Sequence, residues 1–167
     1  VDPESWFRLL GYRSAKFELP LFNKAEMYMD VYRKDANYEK ERNTLFTATT
    51  NLNMNLMKPE GYIAFAPLSQ FIFQLYFETN VAAGGQTAID FSSFFSDGQG
   101  EPKLIWWSRA PELVFENNID GVETVVFVVV LDENPRPINT DVFDATGFKR
   151  LIDGGHDIIV VFGLRLN

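Results

Sequence analysis

Hydrophobic and polar residues alternate along most of the chain with a period of two residues. The segments 16–22, 26–32, 44–56 and 70–78 each place apolar side chains on one side and mainly polar or smaller ones on the other. Successive side chains of a β-strand point to opposite faces of a sheet, so this period is typical of strands with one face in a core. We therefore predict that each of these segments forms a half-buried strand.

Two segments near the C-terminus are apolar on both faces. In the run 125–131, which contains only apolar residues, we assign the bulkier face to the core: Val125, Phe127, Val129 and Leu131. The opposite face carries Val126, Val128 and Val130. The last segment, 157–167, repeats this pattern, with Ile159 and Val161 opposite Ile158, Val160, Phe162, Leu164 and Leu166. Monomers rarely expose large apolar patches, so we expect the outer faces to be subunit contacts in an obligate assembly.

The succession of elements predicts an all-β protein. We count about eight strands, a short N-terminal helix within residues 3–10 and a helical turn near Thr146–Leu151, without the alternation of strands and helices that marks α/β folds. Long strands and long excursions favour an eight-stranded jelly-roll β-sandwich or barrel over a meander. The length of 167 residues fits a single domain, 1–167.

Composition restricts the choice of partners. The formal charge is −8, from 15 Lys and Arg against 23 Asp and Glu, and the basic residues are scattered. This balance argues against direct binding to nucleic acid. The chain contains no cysteine, so it has no disulfide framework and no thiolate metal ligands.

Candidate catalytic residues are few. His156 is the only histidine, so it cannot form a histidine metal triad, and no nucleophile has a fixed sequence relation to it. The acidic pairs Asp132/Glu133 and Asp141/Asp144 flank proline-containing segments, where solvated turn residues are the favoured interpretation. We therefore predict a protein that is not an enzyme and that has no catalytic, metal or cofactor site.

The adjacent residues Trp106 and Trp107 are the strongest candidates for binding. Neighbouring residues of a strand face opposite ways, so one ring should enter the core and the other should lie outside. An outward Trp could anchor a protein interface, where Trp is enriched, or stack on a sugar ring. Both alternatives stay open, with the interface favoured. The candidate subunit interface is Trp106, Trp107, Val126, Val128, Val130, Ile159 and Val161.

The strand pattern, the length, the two doubly apolar strands and the acidic balance resemble those of single jelly-roll coat proteins. In particular, the chain resembles the small major capsid proteins of tailless icosahedral phages of Thermus-like thermophilic bacteria, which enclose an internal membrane. The similarity covers residues 1–167 and rests on pattern and length. It implies a structural coat subunit in the virion that self-associates as a dimer or higher oligomer, packs with a second, larger capsid protein and lies near the viral membrane. The alternative class is a carbohydrate- or receptor-binding β-sandwich module.

Overall fold

The computed structural model describes residues 13–50, 58–95, 103–108, 122–134, 136, 142–143 and 145–167. These residues contain nine β-strands and one α-helix. The strands are β1 (Arg13–Glu18), β2 (Lys24–Arg33), β3 (Glu41–Thr49), β4 (Glu60–Pro67), β5 (Ile72–Thr79), β6 (Gly85–Asp90), β7 (Lys103–Ser108), β8 (Val122–Asp132) and β9 (Ile158–Leu166). The helix, α1, is Ala145–Asp153, where the sequence predicted a helical turn. The predicted N-terminal helix lies outside the described residues.

The strands form two antiparallel sheets that pack face to face. The first sheet has the order β1-β4-β5-β6 and the second has the order β3-β2-β9-β8-β7. This confirms the predicted all-β sandwich, with nine strands in the described residues where about eight were expected. Strands that follow one another along the chain pair in the runs β4-β5-β6 and β7-β8-β9. Meander pairing therefore makes up much of both sheets, although we favoured a jelly roll over a meander from the sequence.

An aromatic cluster occupies the space between the sheets. Phe65 of β4 stacks on Phe73 with ring centroids 4.8 Å apart and on Phe127 at 4.6 Å. The Trp106 ring meets Phe65 edge to face at 5.2 Å. Such pairs contribute about 0.5–1.5 kcal/mol each beyond the burial of their area. The inner faces of β5 and β9 are those that the alternation predicted.

A β-bulge in β8 changes the predicted assignment of faces. Val125 pairs with Gly163 and Phe127 pairs with Phe162, so Val126 is an extra residue in the ladder. Val126 therefore lies with Phe127 in the inner core, whereas Val125 packs against the outer apolar cluster. The sequence predicted the reverse for these two valines, because strict alternation does not allow for a bulge.

The chain covers the outer face of its own second sheet. Six buried residues form an outer cluster at this face: Val128, Val130, Ile159 and Val161 from the sheet, and Val142 and Leu151 from the segment that covers it. Helix α1 belongs to the excursion between β8 and β9, and it packs Phe148, Leu151 and Ile152 against this cluster at the i, i+3 and i+4 spacing of one helix face. The helix ends at Asp153, and Gly155 follows two residues later with a φ of 73°, the left-handed conformation that favours glycine at this position.

Candidate functional site

The predicted subunit interface is mostly buried within the chain. Val128, Val130, Ile159 and Val161 belong to the outer cluster beneath α1, and Val126 belongs to the inner core. Val128 is 1% exposed, so it has no surface to offer a neighbouring molecule. The expectation that these five residues contact another subunit is therefore corrected. The inference that the outer apolar face must be covered was sound, but the cover comes from the same chain.

The two tryptophans point to opposite faces, as the sequence predicted. Trp106 packs against the inner core, and Trp107 packs against the outer cluster. Both side chains are half-buried. Ile105, two residues before Trp107 on the same face of β7, is 42% exposed. The outer apolar surface therefore continues past α1 to the end of the described sheet.

A cleft of about 250 Å³ opens beside α1 on the same outer face. One wall is apolar and consists of Val125, Val128, Val142, Phe143, Phe148 and Val161. The other wall is polar and aromatic and consists of Tyr28, Asp30, Tyr32, Lys40, Arg42 and Glu123. Strands β2, β3 and β8 supply most of the polar wall: β3 is the neighbour of β2, and β8 lies one strand further on, beyond β9.

An ion-pair network organises the polar wall. The Arg42 guanidinium donates to both carboxylate oxygens of Asp30, from Nε at 2.8 Å and from Nη2 at 2.9 Å. It also donates to both oxygens of Glu123, from Nη1 at 2.5 Å and from Nη2 at 3.1 Å. The hydrogen bonds from Arg42 lower the pKa of Glu123 below its ordinary value. This shared guanidinium fixes the two carboxylates in place, because planar bidentate pairs have little freedom to rotate.

Tyr28 lies beneath the network and reaches across β9. The Arg42 guanidinium carbon is 4.0 Å from the centroid of the Tyr28 ring, a cation–π contact. A Cβ atom at Gly163 would lie 2.2 Å from the Tyr28 hydroxyl, so only glycine leaves room for this side chain. Burial, with Glu123 and Asp30, raises the pKa of Tyr28 above its ordinary value, so the hydroxyl keeps its proton and can donate.

The hydroxyls of Tyr28 and Tyr32 have no hydrogen-bond partner among the described residues. Tyr28 is 3% exposed, but its hydroxyl is not a buried unpaired atom; in the described part of the chain only Arg165 Nε is both buried and without a partner. Burial, followed by the charge of Asp30, also raises the pKa of Tyr32 to about 12. The cleft therefore contains two protonated hydroxyls that make no hydrogen bond to another described residue, next to a fixed set of charges.

His156 has a separate, structural environment. Its Nδ1 lies 2.7 Å from Oδ2 of Asp132, and both side chains are buried. The second oxygen of Asp132 accepts a hydrogen bond from the Asp157 backbone N–H at 2.9 Å. The pair therefore ties the end of β8 to the start of β9. The prediction that Asp132 is a solvated turn residue was wrong for this reason, whereas Glu133 is exposed as expected. Asp141 and Asp144 lie outside the described residues.

The part of the chain that the structure describes holds no group of three or more His, Cys, Asp or Glu side chains arranged for a metal ion. No helix in that part is both long and apolar enough to cross a membrane. The polar wall can hydrogen-bond a small polar ligand, and the opposite wall can pack against its apolar parts. The sequence did not indicate this site, since its residues come from strands that are distant along the chain.

Comparisons with known proteins give no relative. No protein-family model matches the chain, and neither the curated proteins nor the solved structures contain a match.

Proposed function

We propose that the chain is a structural coat subunit of an icosahedral viral shell. In this proposal it self-associates and packs with a second, larger jelly-roll capsid protein, near an internal membrane and without direct contact with nucleic acid. The finer fold assignment, a jelly roll, belongs to the proposal. It is supported by three crossings of the chain between the sheets and by the pairing of β2 with β9.

The proposed self-association is based on the residues of the edge strands, which are the terminal strands of the two described sheets. Three of them present polar side chains to solvent: Lys16 and Glu18 on β1, Asn43 and Thr47 on β3, Gln86 and Asp90 on β6. Polar and charged side chains are a common protection of terminal strands against pairing with another molecule. Strand β7 also begins with the exposed Lys103, but on the same face it presents the 42% exposed Ile105 next to the half-buried Trp107.

The surface on β7 has the properties of an interface anchor. Tryptophan is enriched among the residues that contribute most to binding at protein interfaces, and Ile105 adds exposed apolar surface beside Trp107. Covering the exposed part of Ile105 would contribute about 0.6–1.3 kcal/mol, taking 42% of the roughly 1.5–3 kcal/mol for a fully buried isoleucine. In a symmetric dimer the residue occurs twice, which doubles this contribution to about 1–2.5 kcal/mol.

The experiment is sedimentation velocity combined with light scattering after gel filtration, over concentrations up to high micromolar. We expect the wild-type mass to rise with concentration. Ile105→Lys should weaken association roughly tenfold or more, since 1.4 kcal/mol corresponds to a factor of ten. Thr47→Lys is the matched control, because it places the same charge on an exposed site of the opposite terminal strand, β3.

Two results would count against the proposal. A wild-type protein that remains monomeric at high micromolar concentration would remove the basis for an assembly subunit. Equal weakening by Thr47→Lys and Ile105→Lys would show that the effect comes from added charge and that β7 has no special role.

A further inference from the structure

The cleft beside α1 combines features that point to a ligand of defined chemistry. Its volume of about 250 Å³ is below the roughly 300 Å³ at which pockets for drug-sized molecules begin. A ligand of this size contains a single ring or an equivalent short chain.

The charges of the cleft favour a neutral ligand. Asp30 and Glu123 contribute two negative charges, and Lys40 and Arg42 contribute two positive charges, so the formal sum is zero. An amine would have to compete with Arg42 for carboxylates that already hold bidentate hydrogen bonds. A carboxylate ligand would find Lys40 at the rim, but it would also face the negative charge of Glu123.

The hydrogen-bonding groups of the cleft favour a ligand that can both donate and accept hydrogen bonds. Tyr28 and Tyr32 offer hydroxyls that make no hydrogen bond to another described residue, and the carboxylates retain lone pairs beyond those that Arg42 uses. Phe143 and Phe148 also line the cleft, and the Phe148 ring meets the Tyr32 ring edge to face with the centroids 4.8 Å apart. Sugars match this arrangement, since a pyranose carries hydroxyls around its rim and C–H groups on its faces.

We propose that this cleft binds one neutral sugar residue. The Tyr28 hydroxyl and the Asp30–Arg42–Glu123 network would hydrogen-bond the hydroxyls of the sugar, and Phe143 and Phe148 would pack against the C–H groups of its ring. The subunit would thus carry a carbohydrate site in addition to its contacts within a shell. The site differs from the sugar platform considered for Trp106 and Trp107, whose rings pack on the two apolar clusters.

The test is a titration of the full chain with the methyl glycosides of glucose, galactose, mannose and N-acetylglucosamine, by saturation-transfer NMR and calorimetry. We expect at least one glycoside to bind. Tyr28→Phe removes one hydroxyl and keeps the ring beneath Arg42, so it should weaken that binding roughly two- to tenfold, the range for one net hydrogen bond. Tyr32→Phe tests the second hydroxyl and serves if the Tyr28 variant fails to fold.

The control is Tyr76→Phe on the outer face of the first sheet. The Tyr76 hydroxyl donates to Glu78 and lies outside the cleft, so its removal should leave binding unchanged. Failure of all four glycosides to bind would overturn the proposal, as would binding that neither cleft tyrosine variant affects. Preferential binding of phenylacetate, lost in Lys40→Ala, would identify an anion site and would also overturn it.

Discussion

The burial of Val128 gives the sharpest test of the covered outer face. Val128→Ala removes two methyl groups from a side chain that is 1% exposed beneath α1. The lost transfer free energy is about 1.6 kcal/mol at roughly 0.8 kcal/mol per group, and the remaining cavity adds to it. We therefore expect the free energy of unfolding to fall by about 2–3 kcal/mol, a large share of the roughly 5–15 kcal/mol typical of a domain.

Urea unfolding of dilute protein, followed by tryptophan fluorescence, measures this change. Thr47→Ala is the control, because it loses the same β-branch at an exposed position of β3 and should change stability by less than about 1 kcal/mol. The reasoning would be refuted if Val128→Ala left the urea midpoint unchanged and reduced the mass of the associated protein. That result would mean that a neighbouring molecule, and not α1, covers the outer face.

Three further predictions concern the polar wall. Tyr28 and Tyr32 should stay protonated above the ordinary tyrosine pKa of 10.0, as measured by absorbance at alkaline pH. A raised tyrosine pKa stabilises the fold fully below pH 10, and this stabilisation is lost as the pH rises. The free energy of unfolding of Tyr28→Phe should therefore fall by about 1.4 kcal/mol less per pH unit than that of the wild type in this alkaline range. An unchanged dependence on pH would contradict this. Gly163→Ala should destabilise the fold by forcing Tyr28 aside, and a double-mutant cycle with Tyr28→Ala should show coupling; additive effects would argue against the contact. Arg42 lowers the pKa of Glu123, so the ionised Glu123 side chain stabilises the fold above pH 4.5 and this stabilisation is lost as the pH falls. The urea midpoints of wild type and Glu123→Gln should therefore differ less at acid pH than at neutral pH.

The strand pattern predicted much of the fold because burial dictates alternation. Both faces of β9 were assigned correctly, since the ladder there follows a strict period of two. Strand β4 was missed because Pro59 and Gly61 indicate a turn, and its outward residues Ala64 and Ala66 do not contrast with the inward ones. The bulge at Val126 could not be predicted either. Every residue around it is apolar, so the pattern does not show at which position the alternation between the two faces shifts.

The cover of the outer face was only partly predictable. The sequence showed that the second face of β8 had to be buried, and it indicated a helical turn in the right place. Phe148, Leu151 and Ile152 have the spacing of an amphipathic helix, and this signal could have identified the chain itself as the cover. The pattern of one strand indicates that a surface is buried, but it does not indicate whether the covering residues belong to the same molecule.

The cleft depends on contacts between residues that are distant along the chain. Arg42 is 12 positions from Asp30 and 81 positions from Glu123, so no local motif connects them. The available signal was the outer face of β2, where Tyr28, Asp30 and Tyr32 place two aromatic hydroxyls around a carboxylate. Only the order of the strands places Arg42 and Glu123 beside them.

Electron microscopy of particles purified from the natural source, with mass spectrometry of their proteins, tests the proposed coat function most directly. The account predicts that this chain is an abundant component of an icosahedral shell, with density for its two-sheet sandwich in contact with other copies or with a larger capsid protein. Absence of the chain from such particles, together with its recovery as a monomer, would contradict the proposal.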